Sequence, residues 1–390
     1  FMLMWPMTDV PVSAAWASAF YFLLGSTRIS IAAAGLAAAV AILIRPNLFL
    51  AAGLLGAWYL IRSQSIRTTW RHRLSDAAIF ALGVAPGIIA TALIYRHLFG
   101  SVTRSGYGGF LGQLTAANVV PNLQRYFGWF LDSHSVLPIA GFVALLLPVR
   151  RLWPGVPDRK ALWITAAFVL SVWSQYMAYR VFDEWWYLRF LLPSWPFIMI
   201  GAGVWAVALT RADRPFASAL VAIGIVGLGL ANVKTAIDRN VFELWRDERR
   251  YATVARLVGQ LTDAKSMIFT MQHSGSVRYY GGRITLRYDV LDEDWLDRAV
   301  TWLSERDVSS YLLAEEWEES DFRRRFPHAQ TLARLDLPPL FEYRGYGKIS
   351  LYDLSHPRSR DAEPLRELET AEPTCSIGPV PLPTPDLRSR

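Results

Sequence analysis

The residues of this chain whose types suit chemistry stand in three short runs. The first is Pro6-Met7-Thr8-Asp9-Val10-Pro11, where Asp9 opens an apolar stretch. A carboxylate there suits a general base for a hydroxyl or amine, or an ordinary helix start ahead of Pro11. The second is Ile44-Arg45-Pro46-Asn47, a break between two apolar runs. Arg45 either snorkels to an interface or clamps a phosphate, which its permanently charged planar fork fits well. The third runs from Arg180 to Arg189 and encloses Asp183, Glu184, Trp185, Trp186 and Tyr187. Its two cations suit a phosphate and its aromatic rings suit a sugar, or an anchor in a membrane interface.

Other chemistries have no footing. The histidines at 72, 97, 134, 273, 328 and 356 include no i, i+4 pair, so zinc-enzyme spacing is missing. A divalent metal is possible but unsupported by the sequence, and no cofactor is assigned. Cys375 is the only cysteine, which excludes a disulfide within one chain. There is no phosphate-cradling glycine loop of the nucleotide-binding kinds.

The elements that must position these residues are apolar. Of 390 residues, 53% are hydrophobic, and the mean hydropathy is +0.22. Residues 1–231 carry 17 Lys/Arg against 7 Asp/Glu, and residues 232–390 carry 23 against 26. The formal charge of +7 therefore averages a basic, apolar front and a mildly acidic, water-compatible back. Because the front's basic residues alternate with long apolar runs, they do not form a nucleic-acid surface.

Eight apolar segments are expected to cross or enter a bilayer: 11–24, 29–44, 48–61, 77–95, 136–149, 161–179, 189–209 and 216–231. The second and third form a hairpin broken at Arg45-Pro46-Asn47. Four loops on one side, 25–28, 62–76, 150–160 and 210–215, hold 11 of the 17 basic residues of this half. By the positive-inside rule they are cytoplasmic, which puts Asp9, the 96–134 loop, the 180–188 loop and everything after 231 outside. A multi-pass protein of the plasma (bacterial inner) membrane is the expected setting. The 96–134 loop contains Ser105-Gly106-Tyr107-Gly108-Gly109 and a surface helix over Asn118–Phe130, whose Phe127, Trp129, Phe130 and Leu131 are expected to lie in the headgroups.

Residues 232–356 read as a small outer-face α/β domain. Helices are expected over Asp247–Leu261, Trp295–Glu305 and Glu316–Phe326. Strands are expected at Met267–Met271, Ile284–Tyr288, Ser310–Leu313 and Ile349–Leu354. Gln272-His273-Ser274-Gly275-Ser276 follows the first strand. It either holds an anion at a helix N-terminus or is an N-cap at Ser274 with His273 hydrogen-bonded nearby. Residues 357–390, with six prolines after Asp361, read as a disordered tail.

Four pieces, in order along about 190 residues, carry a family resemblance. They are Thr8-Asp9-Val10-Pro11, then Ala34-Gly35-Leu36-Ala37 through Ile44-Arg45-Pro46-Asn47. Phe99-Gly100-Ser101 with Gly106-Tyr107-Gly108 follows, and Tyr187-Leu188-Arg189-Phe190-Leu191-Leu192-Pro193 completes the set. The chain resembles the GT-C glycosyltransferases, in the broad family of protein O-mannosyltransferases and bacterial lipid A aminoarabinose transferases. The resemblance implies an α-helical polytopic bundle followed by an extracytoplasmic domain. It implies sugar transfer from a polyprenyl-phosphate donor to a lipid, glycan or protein acceptor. Arg45, Arg180 and Arg189 would then hold the lipid phosphate, with Tyr107, Asp183, Glu184, Trp185, Trp186 and Tyr187 near the sugar or acceptor. The family's principal catalytic Asp follows its first membrane helix and is expected upstream of Phe1, so this chain is expected to be inactive alone. Asp9 stands as a secondary acidic candidate. Asp183-Glu184 resembles the family's acidic pair in letters but stands too late for that role. The competing reading is a membrane scaffold or sensor whose α/β domain binds a partner. A transporter is disfavoured, because mid-membrane charges and inverted repeats are lacking.

Overall fold

The computed structural model describes residues 7–61, 69–106, 108–109, 111–147, 152–154, 156, 160–210, 215–345, 347–356 and 358–368. The chain forms two compact units, Phe1–Phe242 and Glu243–Arg390.

The first unit is helical: α1 (Asp9–Leu23), α2 (Arg28–Ile44), α3 (Phe49–Ile61), α4 (Trp70–Phe99), α5 (Val119–His134), α6 (Leu137–Leu146), α7 (Lys160–Ala178), α8 (Trp195–Thr210) and α9 (Pro215–Asp238). A two-residue ladder, β1 (Arg104–Ser105) with β2 (Gly108–Gly109), interrupts them. Among the described residues, four helices are long and apolar enough to cross a membrane: α4, α7, Trp185–Thr210 and α9. The count is five if α5 and α6, bent by 116° at their junction, make one span. The eight expected segments therefore are not eight full-length spans. At about 1.5 Å per residue, the 15 to 17 residues of α1 and α2 fall short of the ~30 Å hydrocarbon core.

The short α2 packs backbone to backbone on the long α4. A Cβ on Gly35 would lie 2.9 Å from the Cα of Gly83, and one on Gly83 would lie 2.9 Å from the Ala32 carbonyl. Backbone-to-backbone approach of α2 and α4 thus requires glycine at both places, as is common where lipid offers no apolar driving force for association. α1, α7 and α8 meet through rings: Phe20 lies 4.9 Å from Phe168 and 4.5 Å from Phe197. Each such pair adds about 0.5–1.5 kcal/mol beyond area burial.

The second unit is a mixed sheet with helices on both faces. Its elements are α10 (Leu244–Leu261), β3 (Ser266–Phe269), α11 (Ser274–Tyr280), β4 (Ile284–Leu286), α12 (Trp295–Ser304), β5 (Ser309–Glu315), α13 (Glu316–Arg325), β6 (Phe341–Arg344), β7 (Lys348–Asp353) and β8 (Leu365–Leu368). The strand order is β4-β3-β5-β7-β6-β8. β3 runs parallel to β4 and β5, β7 is antiparallel to β5 and β6, and β8 is parallel to β6. Along β5, Tyr311 and Leu313 join Val254, Val258 and Val277 in one core layer. Leu312 and Ala314 join Leu296, Leu303 and Phe322 in the other. This is the alternation of a strand covered on both sides.

The expected helices and four strands lie where the periodicity put them, within a few residues. Two strands were not expected. β6 forms a hairpin with β7, and β8 falls inside the stretch read as a disordered tail, where pairing to β6 supplies an order its composition does not announce. α9 also runs on to Asp238, past the boundary expected at 231.

Candidate functional site

Asp9 is the first residue of α1, after Thr8, and its side chain turns inward with 3% exposure. Arg45 ends α2, its N–H donating to the Ala41 carbonyl at 2.9 Å, and Pro46 stops the helix there. Asn47 ties this break to α7. Its Nδ2 donates to the Tyr176 hydroxyl at 2.8 Å, and its carbonyl accepts from Gln175 Nε2 at 2.7 Å. Arg189 lies in a ten-residue 3-10 stretch, Trp185–Ser194, that leads into α8. Three residues per turn put Tyr187 and Phe190 on one side of this stretch and Trp185 and Leu188 on another.

These segments converge on Asp9. Arg45 Nη1 lies 2.7 Å from Oδ1, and Arg189 Nε lies 3.9 Å from Oδ2. The Arg45 contact is close but off the hydrogen-bonding direction, so both atoms are buried without completing a well-aligned hydrogen bond. Aromatic rings form the floor. The Arg45 guanidinium stands 5.1 Å from the Phe190 ring and 6.0 Å from Tyr176. That of Arg189 stands 5.1 Å from Tyr187 and 5.5 Å from Phe190. Cation–π contacts of this kind contribute about 0.5–2 kcal/mol. Among the described residues one carboxylate faces two guanidiniums here, all three largely withdrawn from solvent.

A groove of ≈ 520 Å³ runs beside the cluster. Val10, Ser13 and Ala17 of α1 line one wall, Leu188, Leu192 and Trp195 another, and His134 and Trp185 stand among them. Val10 and Leu188 are chain neighbours of Asp9 and Arg189. The volume falls within the ~300–1,000 Å³ range of small-molecule sites.

The seven candidates between Arg180 and Arg189 do not form one set. Tyr187 and Arg189 join Asp9 and Arg45. Trp185 lines the groove, its ring 4.3 Å from the guanidinium of Arg239, which also donates to Ser133 Oγ at 2.7 Å. Trp186 is half-buried beside Trp185 at 6.1 Å. Asp183 pairs instead with Arg125 of α5, and its side chain is 83% exposed. Glu184 and Arg180 are exposed, and Arg180 forms no ion pair among the described residues. Tyr107 lies outside the described residues. Phe130, expected in the headgroups, is buried against Trp173 and Trp195 at 5.5 and 5.3 Å, while Phe127 and Leu131 stay exposed.

Sequence reading missed Tyr176, Phe190 and Arg239. The first two are rings in apolar helices, and only the fold shows that they support guanidiniums. Arg239 follows the last apolar helix, a place where a basic residue signals nothing by itself. Among the described residues no group of three His, Cys, Asp or Glu could hold a metal ion. Compared with models of known families, with curated proteins and with solved structures, the chain matches none.

Proposed function

We propose that this chain serves sugar transfer from a polyprenyl-phosphate-linked donor to an acceptor at the extracytoplasmic membrane face, its own residues holding the carrier lipid. The observation that carries this reading is the meeting of Asp9, Arg45 and Arg189, from three separate segments, beside an apolar groove. A lipid phosphate is an anion attached to a long apolar chain. The planar guanidiniums of Arg45 and Arg189 suit its head and the groove suits its tail. Arg45 is held by Asp9 in a misaligned contact, so turning toward a phosphate oxygen costs it little hydrogen bonding. Arg45 and Arg189 then stabilise the negative charge that builds on the departing lipid phosphate. Asp9, relieved of one partner, stands beside the phosphate as a secondary acidic candidate, with the principal carboxylate expected upstream of Phe1. Resemblance to the GT-C glycosyltransferases supports the same reading. The loop arginines support an orientation with the cluster and the α/β unit outside.

The test is binding in lipid nanodiscs with undecaprenyl phosphate against undecaprenol. The phosphate is expected to bind more tightly, and Arg45→Ala and Arg189→Ala each to weaken it by about tenfold, or 1.4 kcal/mol. Equal binding of the alcohol and the phosphate, or indifference to both substitutions, overturns the reading.

A further inference from the structure

The α/β unit carries a second cluster, independent of everything proposed for the membrane unit. In its sheet, β3 lies between β4 and β5, both parallel to it. The chain leaving β3 passes through α11 to β4 on one side. The chain leaving β5 passes through α13 to β6 and β7 on the other. Neighbouring parallel strands whose exits diverge leave a crevice at their carboxyl ends, the place where open α/β sheets bind ligands.

A cluster of polar side chains lies there. His273, just past β3, is fully buried, and its Nε2 lies 3.1 Å from Oε1 of Glu315, the last residue of β5. Arg250 of α10 brings Nε to 3.3 Å from the same oxygen, and Trp317 Nε1 donates to the other at 2.8 Å. Gln272 Nε2 donates to the Tyr251 hydroxyl at 2.6 Å, and Arg250 Nη2 donates to it at 3.2 Å. The Tyr251 and His273 rings lie 5.0 Å apart. His273 Nδ1 is buried with no hydrogen-bond partner among the described residues.

Helix capping accounts for part of this. Glu315 and Glu318 form the capping box of α13. Capping does not call for a buried histidine, for an arginine from another helix, or for an indole left 46% exposed with its N–H pinned to the central carboxylate. We propose that this crevice binds a neutral saccharide, with the Trp317 face against the sugar ring and Gln272, Tyr251 and Arg250 hydrogen-bonding its hydroxyls. Hydroxyls both donate and accept, matching a mixed set of amide, phenol, guanidinium and carboxylate. An anion is disfavoured, because Glu315 already offsets Arg250, and Glu248 and Glu316 add negative charge nearby. An apolar ligand would strip water from these polar groups and offer no hydrogen bond in return.

The test uses the full chain in nanodiscs, titrated calorimetrically with cellobiose, chitobiose and maltose. At least one is expected to bind, and Trp317→Ala to weaken it by about tenfold, equal to 1.4 kcal/mol. Trp302→Ala, at another exposed indole on α12, should leave that binding unchanged. If Trp317→Ala fails to fold, Gln272→Ala on an exposed side chain replaces it, with a several-fold loss expected. No binding of any of the three sugars overturns the proposal, as does binding indifferent to Trp317 and Gln272. The carrier-lipid experiment reads Arg45 and Arg189 and this one reads Trp317, so the two failures are distinguishable.

Discussion

Asp9 of α1 and Arg45 at the end of α2 stand 2.7 Å apart, and the second oxygen of the same carboxylate faces Arg189 at 3.9 Å. Removing the carboxylate takes away the ion-pair partner that these two largely buried guanidiniums share. Asp9→Ala is therefore expected to destabilise the membrane unit by about 3–5 kcal/mol, the usual cost of breaking a buried pair from one side. The double variant Asp9→Ala with Arg45→Leu should recover part of this loss. Thermal unfolding in detergent checks it, and a double variant less stable than Asp9→Ala contradicts the assignment.

Asp183 is the contrasting case. Its pair with Arg125 is exposed, so Asp183→Asn should change stability by less than about 1 kcal/mol. The same unfolding experiment reads it.

Asn122 of α5 is fully buried, and its Nδ2 donates to the carbonyls of Tyr176, Met177 and Tyr179 at 3.2, 3.0 and 2.7 Å. It thereby satisfies carbonyls that the end of α7 leaves open. Asn122→Leu should cost about 1–3 kcal/mol. The near-isosteric Asn122→Asp should cost more, because an ionised carboxylate only accepts and would face carbonyl oxygens. Equal stability of Asn122→Asp and the parent chain would remove the capping role.

How far the sequence carried depended on the kind of signal. In the α/β unit, short continuous apolar runs such as Tyr311–Ala314 and the amphipathic α10 and α12 were legible because burial, on both faces of a strand or one face of a helix, is written residue by residue. β8 was not, since an edge pairing depends on a partner strand rather than on its own four residues. Asp9, Arg45 and Arg189 were each legible as candidates, because charge at the end of an apolar run is costly and stands out. Their meeting was not legible. It depends on the 3-10 stretch Trp185–Ser194, whose three-residue period turns Tyr187 and Phe190 to the cluster and sends Trp185 to the groove.

A pH dependence follows from Glu315. Burial would raise its pKa, but the hydrogen bond from His273, the charge of Arg250 and the bond from Trp317 outweigh it and hold the carboxyl below its ordinary value. A depressed acid contributes stability that is fully present above the unfolded-chain value near 4.3. That contribution is lost as pH falls through the lower folded-state value. Urea unfolding of the α/β unit should weaken over that acid range, and Glu315→Gln should flatten the dependence. An unchanged slope in the variant would assign the acid sensitivity elsewhere.

Gly83 and Gly53 test helix contact against helix propensity. Gly83→Ala forces a Cβ against the Ala32 carbonyl and should destabilise the α2–α4 pair, whereas Gly53, with open space around it, should accept alanine and gain up to about 1 kcal/mol. Comparison of the two melting temperatures decides it.

β8 has a consequence for solubility. Its parallel pairing covers the side of β6 that β7 leaves free. A chain ending before Leu365 would present the backbone of Phe341–Arg344 as an open template for another copy. Unpaired edges of this kind are where folded sheets begin to associate with one another. The open edge of the sheet is thereby moved from β6 to β8, a four-residue strand whose sequence includes Arg366 and Glu367, and a short, charged edge is a poorer template for another copy.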